Sequence, residues 1–252
     1  MKKLTLFLIA ALCLAGVTTY AQSLGDIARE EQKRREAVSG DVFIIEKKSV
    51  AASPGRDTLT DEANEDAKFD IDIGDNPVLG SDSARFILVK FADYLCSFCG
   101  RYSRETFPHI LKEYIDANIL RYTVIDHPIL HQHSEKAAQA AHCASDQGKF
   151  WEIHRLMMAQ QDSLSDLSSY ARALDLNLSE FENCLAREKY AKRIQNNSAL
   201  ARSLEITSVP YFIIGLVDPQ NPRRVKGISS ISGAEPFSHF QKEIEAAIAD
   251  GK

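Results

Sequence analysis

Cys96-Ser97-Phe98-Cys99 is the stretch of this chain whose residue types and spacing most directly suggest chemistry. Two thiols separated by two residues can exchange electrons with a disulfide. The attacking species must be a thiolate, and the second sulfur must be close enough to resolve the mixed disulfide that forms. The pair follows an apolar run, Phe86-Ile87-Leu88-Val89, and opens a stretch of helical periodicity. A helix N-terminus offers unpaired N–H groups and the positive end of a dipole. Such a setting lowers a cysteine pKa from about 8.5 into a range of roughly 3.5 to 7.5. Cys96, at the helix tip, is the expected nucleophile, and Cys99, one turn inward, the expected resolving thiol. Zinc sites use the same spacing, but they need further Cys or His ligands close by. Cys143 and Cys184 are not spaced as a second pair. His127, His131, His133 and His142 would have to complete such a site, and they read better as a solvated loop and helix start. Neither a metal nor a cofactor is expected.

Val209-Pro210, just before the apolar run Tyr211-Phe212-Ile213-Ile214, is the second landmark. A proline there can be an ordinary strand-entry residue. A cis bond at that point would instead present backbone groups beside the redox pair, and cis X-Pro bonds are uncommon enough to point to function. Cys143 and Cys184 lie in a helical region. The preferred reading is a structural disulfide between two helices, which would stabilise the fold by roughly 4 kcal/mol on the chain-entropy model. The alternative is a second redox pair that relays electrons to the first.

The elements that must position these residues follow from periodicity. Phe86–Val89 and Leu120–Ile125 read as buried strands, since both are nearly continuous apolar runs. Between them Tyr102, Phe107, Ile110, Leu111, Tyr114 and Ile115 recur at helical spacing. Strand, helix, strand makes a parallel crossover unit. Helices are then expected over Ser134–Gln147, stopped by Gly148, over Phe150–Ala159, from a capping box at Ser179–Glu182, and over Tyr190–Leu204. Strand character returns only at Tyr211–Ile214. A last helix is expected from a second capping-box pattern near Ser232–Glu235 to Ala249. The fold class is α/β, split by a helical insertion at about 130–205.

The N-terminus reads as an export signal. Lys2 and Lys3 precede the apolar run Leu4–Val17, and Thr19 and Ala21 sit where a signal peptidase inspects, which predicts cleavage after Ala21. Residues 1–21 are therefore expected to be removed, taking Cys13 with them, and the mature protein would work in the periplasm or otherwise outside the cytoplasm. The four remaining cysteines fit an oxidising compartment. Residues 22–68 form a charged extension and linker, with a short strand expected at Asp41–Ile45. The formal net charge of -5 offers no basic surface for nucleic acid.

The segment from about Phe69 to Ala249 resembles the DsbA-like thioredoxin family of secreted bacterial disulfide oxidoreductases. The resemblance is carried by Phe91-Ala92-Asp93-Tyr94-Leu95-Cys96-Ser97-Phe98-Cys99, Ala140-Ala141-His142-Cys143-Ala144, Gln147-Gly148-Lys149-Phe150-Trp151 and Ser208-Val209-Pro210-Tyr211-Phe212. It implies a thioredoxin fold with an inserted helical domain, over 69–252. It also implies an active Cys96–Cys99 disulfide, a cis-proline at Pro210, and a further disulfide matching Cys143 and Cys184. One position departs from the pattern. Relatives usually place a carboxylate six residues before the first active cysteine, and here Lys90 stands there. A carboxylate's proton-transfer role does not carry over, and a lysine is expected to favour the nearby thiolate electrostatically.

The leading functional expectation is an oxidase that donates the Cys96–Cys99 disulfide to reduced or unfolded exported proteins and is reoxidised by a membrane-bound partner, as the resemblance suggests. The rival enzyme is an isomerase or reductase kept reduced by another electron source. Such relatives are often dimers with a dedicated domain, for which residues 22–68 are too polar, so a monomer is expected. A non-catalytic chaperone or binding module on the same fold is the third reading. An intact C-x-x-C speaks against it.

Overall fold

In the computed structural model the described residues are 69–251, except 162 and 163. They belong to a compact unit that spans Glu62–Lys252. The expected signal at 1–21, the extension at 22–68 and the strand at Asp41–Ile45 lie outside the described residues.

The centre of the unit is a sheet of β1 (Phe69–Asp72), β2 (Val78–Leu79), β3 (Phe86–Ala92), β4 (Leu120–Asp126), β5 (Tyr211–Val217) and β6 (Arg224–Ser232). Their spatial order is β1-β6-β5-β3-β4-β2. β3 and β4 run parallel, joined by the crossover that the sequence predicts, and the remaining pairs are antiparallel. All seven residues of β3 are buried, as are all seven of β4. Both strands are covered on both faces, so continuous apolar runs rather than alternation marked them in the sequence.

Side chains still alternate between the faces. Phe86, Leu88 and Ala92 join one core, with Tyr102, Phe107, Phe212, Phe240 and the buried residues of the inserted helices. Ile87, Val89 and Phe91 join the other, with Ile71, Ile125, Ile213, Val225 and Ala201. The same alternation sends Lys90 to the first face, the one that holds both redox cysteines.

The crossover begins with α1 (Ser97–Glu105), breaks at Thr106, resumes as the short α2 (Phe107–Ile110) and ends in a π-helical turn, Leu111–Ile115. The periodicity predicted one helix there. Pro108 explains the break, because it cannot donate to the preceding turn. The break leaves the Thr106 hydroxyl free to donate to the Glu235 carbonyl at 3.0 Å.

Among the described residues five helices then separate β4 from β5: α3 (Ser134–Ser145), α4 (Phe150–Ala159), α5 (Leu167–Ala173), α6 (Leu178–Ala186) and α7 (Ala191–Ser203). Gly148 ends the first segment with φ at +72°, a conformation that glycine adopts without cost. α6 starts two residues earlier than its expected box. Asn177 is the N-cap, accepting from Glu180 N at 3.2 Å and donating to the Glu180 carboxylate at 2.9 Å. α8 (Phe237–Asp250) also departs from expectation, since Ser232 is the last residue of β6, paired with Tyr211, and Pro236 caps the helix. β6 itself was not expected. Its register against β5 shifts at Ile214/Gly215, and that irregularity breaks the period-two pattern a strand needs to be visible in sequence.

Candidate active site

Cys96 is the N-cap of α1. β3 delivers the chain to the top of the sheet, where Asp93 turns it. The Asp93 carbonyl accepts from Cys96 N at 3.1 Å. Its buried carboxylate accepts from Leu95 N at 2.8 Å and from Ile129 N and Leu130 N at 3.0 Å each. One carboxylate thus fixes both the turn before Cys96 and the loop after β4.

The two sulfurs share one polar arrangement. The amide of Cys99 donates to Cys96 Sγ at 3.3 Å, which is the capping bond of the helix. When protonated, Cys96 Sγ donates to the Val209 carbonyl at 3.3 Å. The Val209-Pro210 bond is cis, and the Pro210 carbonyl is held by Gly233 N at 2.9 Å. Both thiols are free and buried, Cys96 at 3% and Cys99 at 0% exposure.

Their acidities are driven apart. The Cys96 pKa is lowered to about 6, first by the hydrogen bond from the Cys99 side chain and then by the amides of Cys99 and Phe98, against burial and the Asp93 charge. Burial pushes Cys99 well above the ordinary range, and its hydrogen bond to Cys96 adds to this, while Lys90 pulls the other way. The pair is therefore one thiolate accepting from one thiol, with the charge on the sulfur at the helix tip.

Lys90 lies beneath that pair with no exposure. Its Nζ donates to Ser103 Oγ at 3.3 Å and stands 4.8 Å from the centre of the Tyr102 ring. Burial lowers its pKa, and the two cysteines, Cys99 foremost, raise it. No carboxylate among the described residues pairs with it, so the sulfurs are its natural counter-charge.

Cys143 and Cys184 are joined, with 5.8 Å between their α-carbons, and the bond ties α3 to α6. The histidines scatter. His127 and His142, expected in solvated positions, are buried instead. His127 Nε2 donates to the Ile206 carbonyl at 3.1 Å. His142 Nε2 lies 2.8 Å from Asp126, and its Nδ1 faces Arg193 at 3.3 Å. An arginine only donates, so Nδ1 accepts and Nε2 donates to the carboxylate. His131 and His133 are exposed. Among the described residues no group of His, Cys, Asp and Glu is placed to hold a metal ion.

A family model described as Thioredoxin matches residues 72–231, well over half of the chain. The chain belongs to the thioredoxin family. Crystal structures place it nearer the DsbA-like members. Wolbachia pipientis alpha-DsbA1 aligns with a TM-score of 0.63 and 25% identity, covering 71% of this chain and 94% of that one. BdbD from Bacillus subtilis shares the fold with a TM-score of 0.60 at 22% identity, over 69% of this chain and 93% of that one. A Rickettsia conorii protein provisionally named as a protein-disulfide oxidoreductase is 26% identical over 179 residues, 68% of this chain and 64% of the relative. The Na(+)/H(+) antiporter NhaA 3 of Salinispora tropica is 31% identical over 169 residues, 66% of this chain but only 25% of the antiporter. The chain thus spans about a quarter of that relative. The described part is a thioredoxin fold with an inserted helical domain, similar to the DsbA structures.

Proposed function

We propose that this protein is a thiol:disulfide oxidase acting outside the cytoplasm, with Cys96 as its nucleophile, Cys99 as its resolving thiol and Pro210 completing the site. The observation that carries the reading is the separation of the two acidities, with Cys96 brought to about 6. A disulfide is strongly oxidising when its reduced form is stabilised. Here a stabilised Cys96 thiolate does that, with a buried lysine behind it.

The chemistry is a two-step exchange. A client thiolate attacks Cys96 Sγ of the Cys96–Cys99 disulfide. The sulfur–sulfur bond breaks, Cys99 leaves with the electron pair and takes up a proton, and Cys96 is now bonded to the client. A second client thiolate attacks the client's sulfur, and Cys96 leaves as the thiolate that the helix tip holds. The client is oxidised and the pair is reduced by two electrons. Val209 offers its carbonyl beside Cys96, and Phe98, 54% exposed, gives the site an apolar lip. That suits an unfolded chain with exposed side chains as client. The domain reading is a signal at 1–21, a charged extension at 22–68 and the redox domain at 69–252. A membrane-bound partner would reoxidise the pair, and the protein would act as a monomer.

The deciding measurement is the equilibrium of the Cys96–Cys99 pair with a glutathione buffer. We expect a potential well above that of a reducing thioredoxin. A value near -270 mV would overturn the oxidase reading in favour of a reductase.

A further inference from the structure

We propose that Gln161 is a positioning residue for the redox pair, holding the turn that carries Cys96 against the helical insertion. Gln161 lies just beyond the end of α4, far from the pair in sequence. Its Nε2 donates to the Tyr94 carbonyl at 2.7 Å and to the Cys96 carbonyl at 2.8 Å. A primary amide has two N–H groups on that nitrogen, and both are used. The Cys96 carbonyl is also the acceptor of the first helical bond, from Gly100 N at 3.0 Å. Gln161 therefore grips the peptide that sets the orientation of Cys96 relative to the amides of α1.

An independent observation shows that the site is built around this side chain. Gly100 is buried in the first turn of α1, where glycine weakens a helix by about 1 kcal/mol relative to alanine. A β-carbon at that position would stand 2.3 Å from Gln161 Oε1 and 2.8 Å from its Cδ. The amide tip cannot step aside without releasing the two carbonyls. A helix-weakening residue thus occupies the position where any side chain would expel Gln161.

The grip is shared along one edge of α4. The Tyr94 hydroxyl and His154 Nδ1 are hydrogen-bonded at 2.7 Å, and Arg104 donates to the Met158 carbonyl at 3.2 Å. Burial holds Tyr94 protonated and keeps His154 neutral, so this bond joins two uncharged groups. The insertion thereby holds both sides of the redox turn: Tyr94 and Cys96 before the helix, and Arg104 within it. In this role the insertion tunes the reactivity of Cys96.

The proposal rests on Cys96 being the reactive thiol, but not on the direction of electron flow. Its test reads the thiolate itself. In the reduced full-length protein, Gln161→Ala should slow alkylation of Cys96 at pH 6 by about threefold to tenfold, the range expected when hydrogen bonds orienting a charged group are lost. The ultraviolet titration of the thiolate should move upward with it. Gly100→Ala should produce a similar shift in the wild-type background and a much smaller one when Gln161 is already alanine, because only the approach to the flexible Arg104 guanidinium at 2.9 Å then remains. Gln161→Glu keeps the length and replaces both donors with lone pairs, so it should shift the titration at least as far. Should Gln161→Ala not fold, Gln161→Met, which keeps bulk without donors, serves in its place. An unchanged titration alongside a lowered melting temperature would assign Gln161 a purely structural role and overturn the proposal. Additive effects of the Gly100 and Gln161 changes would do the same. Alkylation that modifies Cys99 first would instead overturn the site assignment on which the proposal rests.

Discussion

At the scale of single residues, the reactivity of Cys96 depends on who holds the compensating charge. The amides of Phe98 and Cys99 and the proton of Cys99 supply most of it, and Lys90 lies behind them in a site with no exposure. A buried positive group favours nearby thiolates, and a buried carboxylate disfavours them. Lys90→Glu is therefore expected to raise the pKa of both cysteines and to make the pair less oxidising. A tenfold change in the exchange equilibrium corresponds to about 30 mV, and we expect a shift of at least that size. The glutathione equilibria of the two proteins give the comparison directly. An identical potential would show that Ser103 and the Tyr102 ring, not the sulfurs, satisfy Lys90. The residues of this site were unevenly legible in the sequence. Cys96, Cys99 and Pro210 announce themselves by spacing and by neighbouring apolar runs. Gln161 could not, because nothing local marks a glutamine that acts on a turn more than sixty positions away. The buried His127 and His142 were misjudged for a related reason. The partners that permit their burial, the Ile206 carbonyl and Asp126, are brought to them only by the fold.

At the scale of elements, continuous apolar runs located β3, β4 and β5, and helical spacing located most of the helices. β2 and β6 escaped, since a two-residue strand has no period and a register shift erases one, and the alternation of β1, Phe69-Asp70-Ile71-Asp72, runs for only four residues. α6 and α8 show how a capping signal can mislead. Ser-x-x-Glu occurs at both starts, yet Asn177 and Pro236 are the residues that stand at the caps. The Cys143–Cys184 bond belongs to this scale as well. It fastens α3 to α6 across 41 positions, wholly within the insertion. On the chain-entropy model a loop of that length contributes about 4 kcal/mol, roughly 8–16 °C in melting temperature for a domain of this size. Replacing both cysteines with alanine should cost stability of that order, read by thermal unfolding of the otherwise oxidised protein. The initial rate of client oxidation should stay within about twofold, because Tyr94, Cys96 and Gln161 keep their hydrogen bonds without that bond. A folded double variant with little oxidase activity would instead make the second disulfide an electron relay.

At the scale of the whole molecule, the energy that makes the pair oxidising must also appear as a difference in folding stability between its two redox forms. In the reduced protein Cys96 titrates near 6, whereas in an unfolded chain a cysteine titrates near 8.5. A depressed pKa contributes stability that is present in full above the unfolded value and lost as pH falls through the folded one. At pH 5 both states hold a protonated Cys96, and the reduced form gains nothing from it. Between pH 6 and 8.5 the unfolded chain still binds a proton that the folded one has released, so stability rises with pH. The total is about 3 kcal/mol for a separation of this size. Above 8.5 the raised pKa of Cys99 acts with the opposite sign, since the folded protein then keeps a proton that the unfolded chain loses. The oxidised protein has neither group free to titrate. Closing its four-residue ring constrains the unfolded chain by about 2 kcal/mol at every pH. The two terms are of similar size, so the sign of the difference should itself depend on pH. We expect the melting temperature of the reduced form, relative to the oxidised, to climb by about 5–10 °C from pH 5 to pH 8 and to turn downward above pH 9. Reduction must be mild enough to leave Cys143–Cys184 closed, which mass spectrometry of the alkylated protein verifies. A difference that stays flat from pH 5 to pH 8 would mean that the fold does not stabilise the Cys96 thiolate, and the oxidase reading would lose its physical basis.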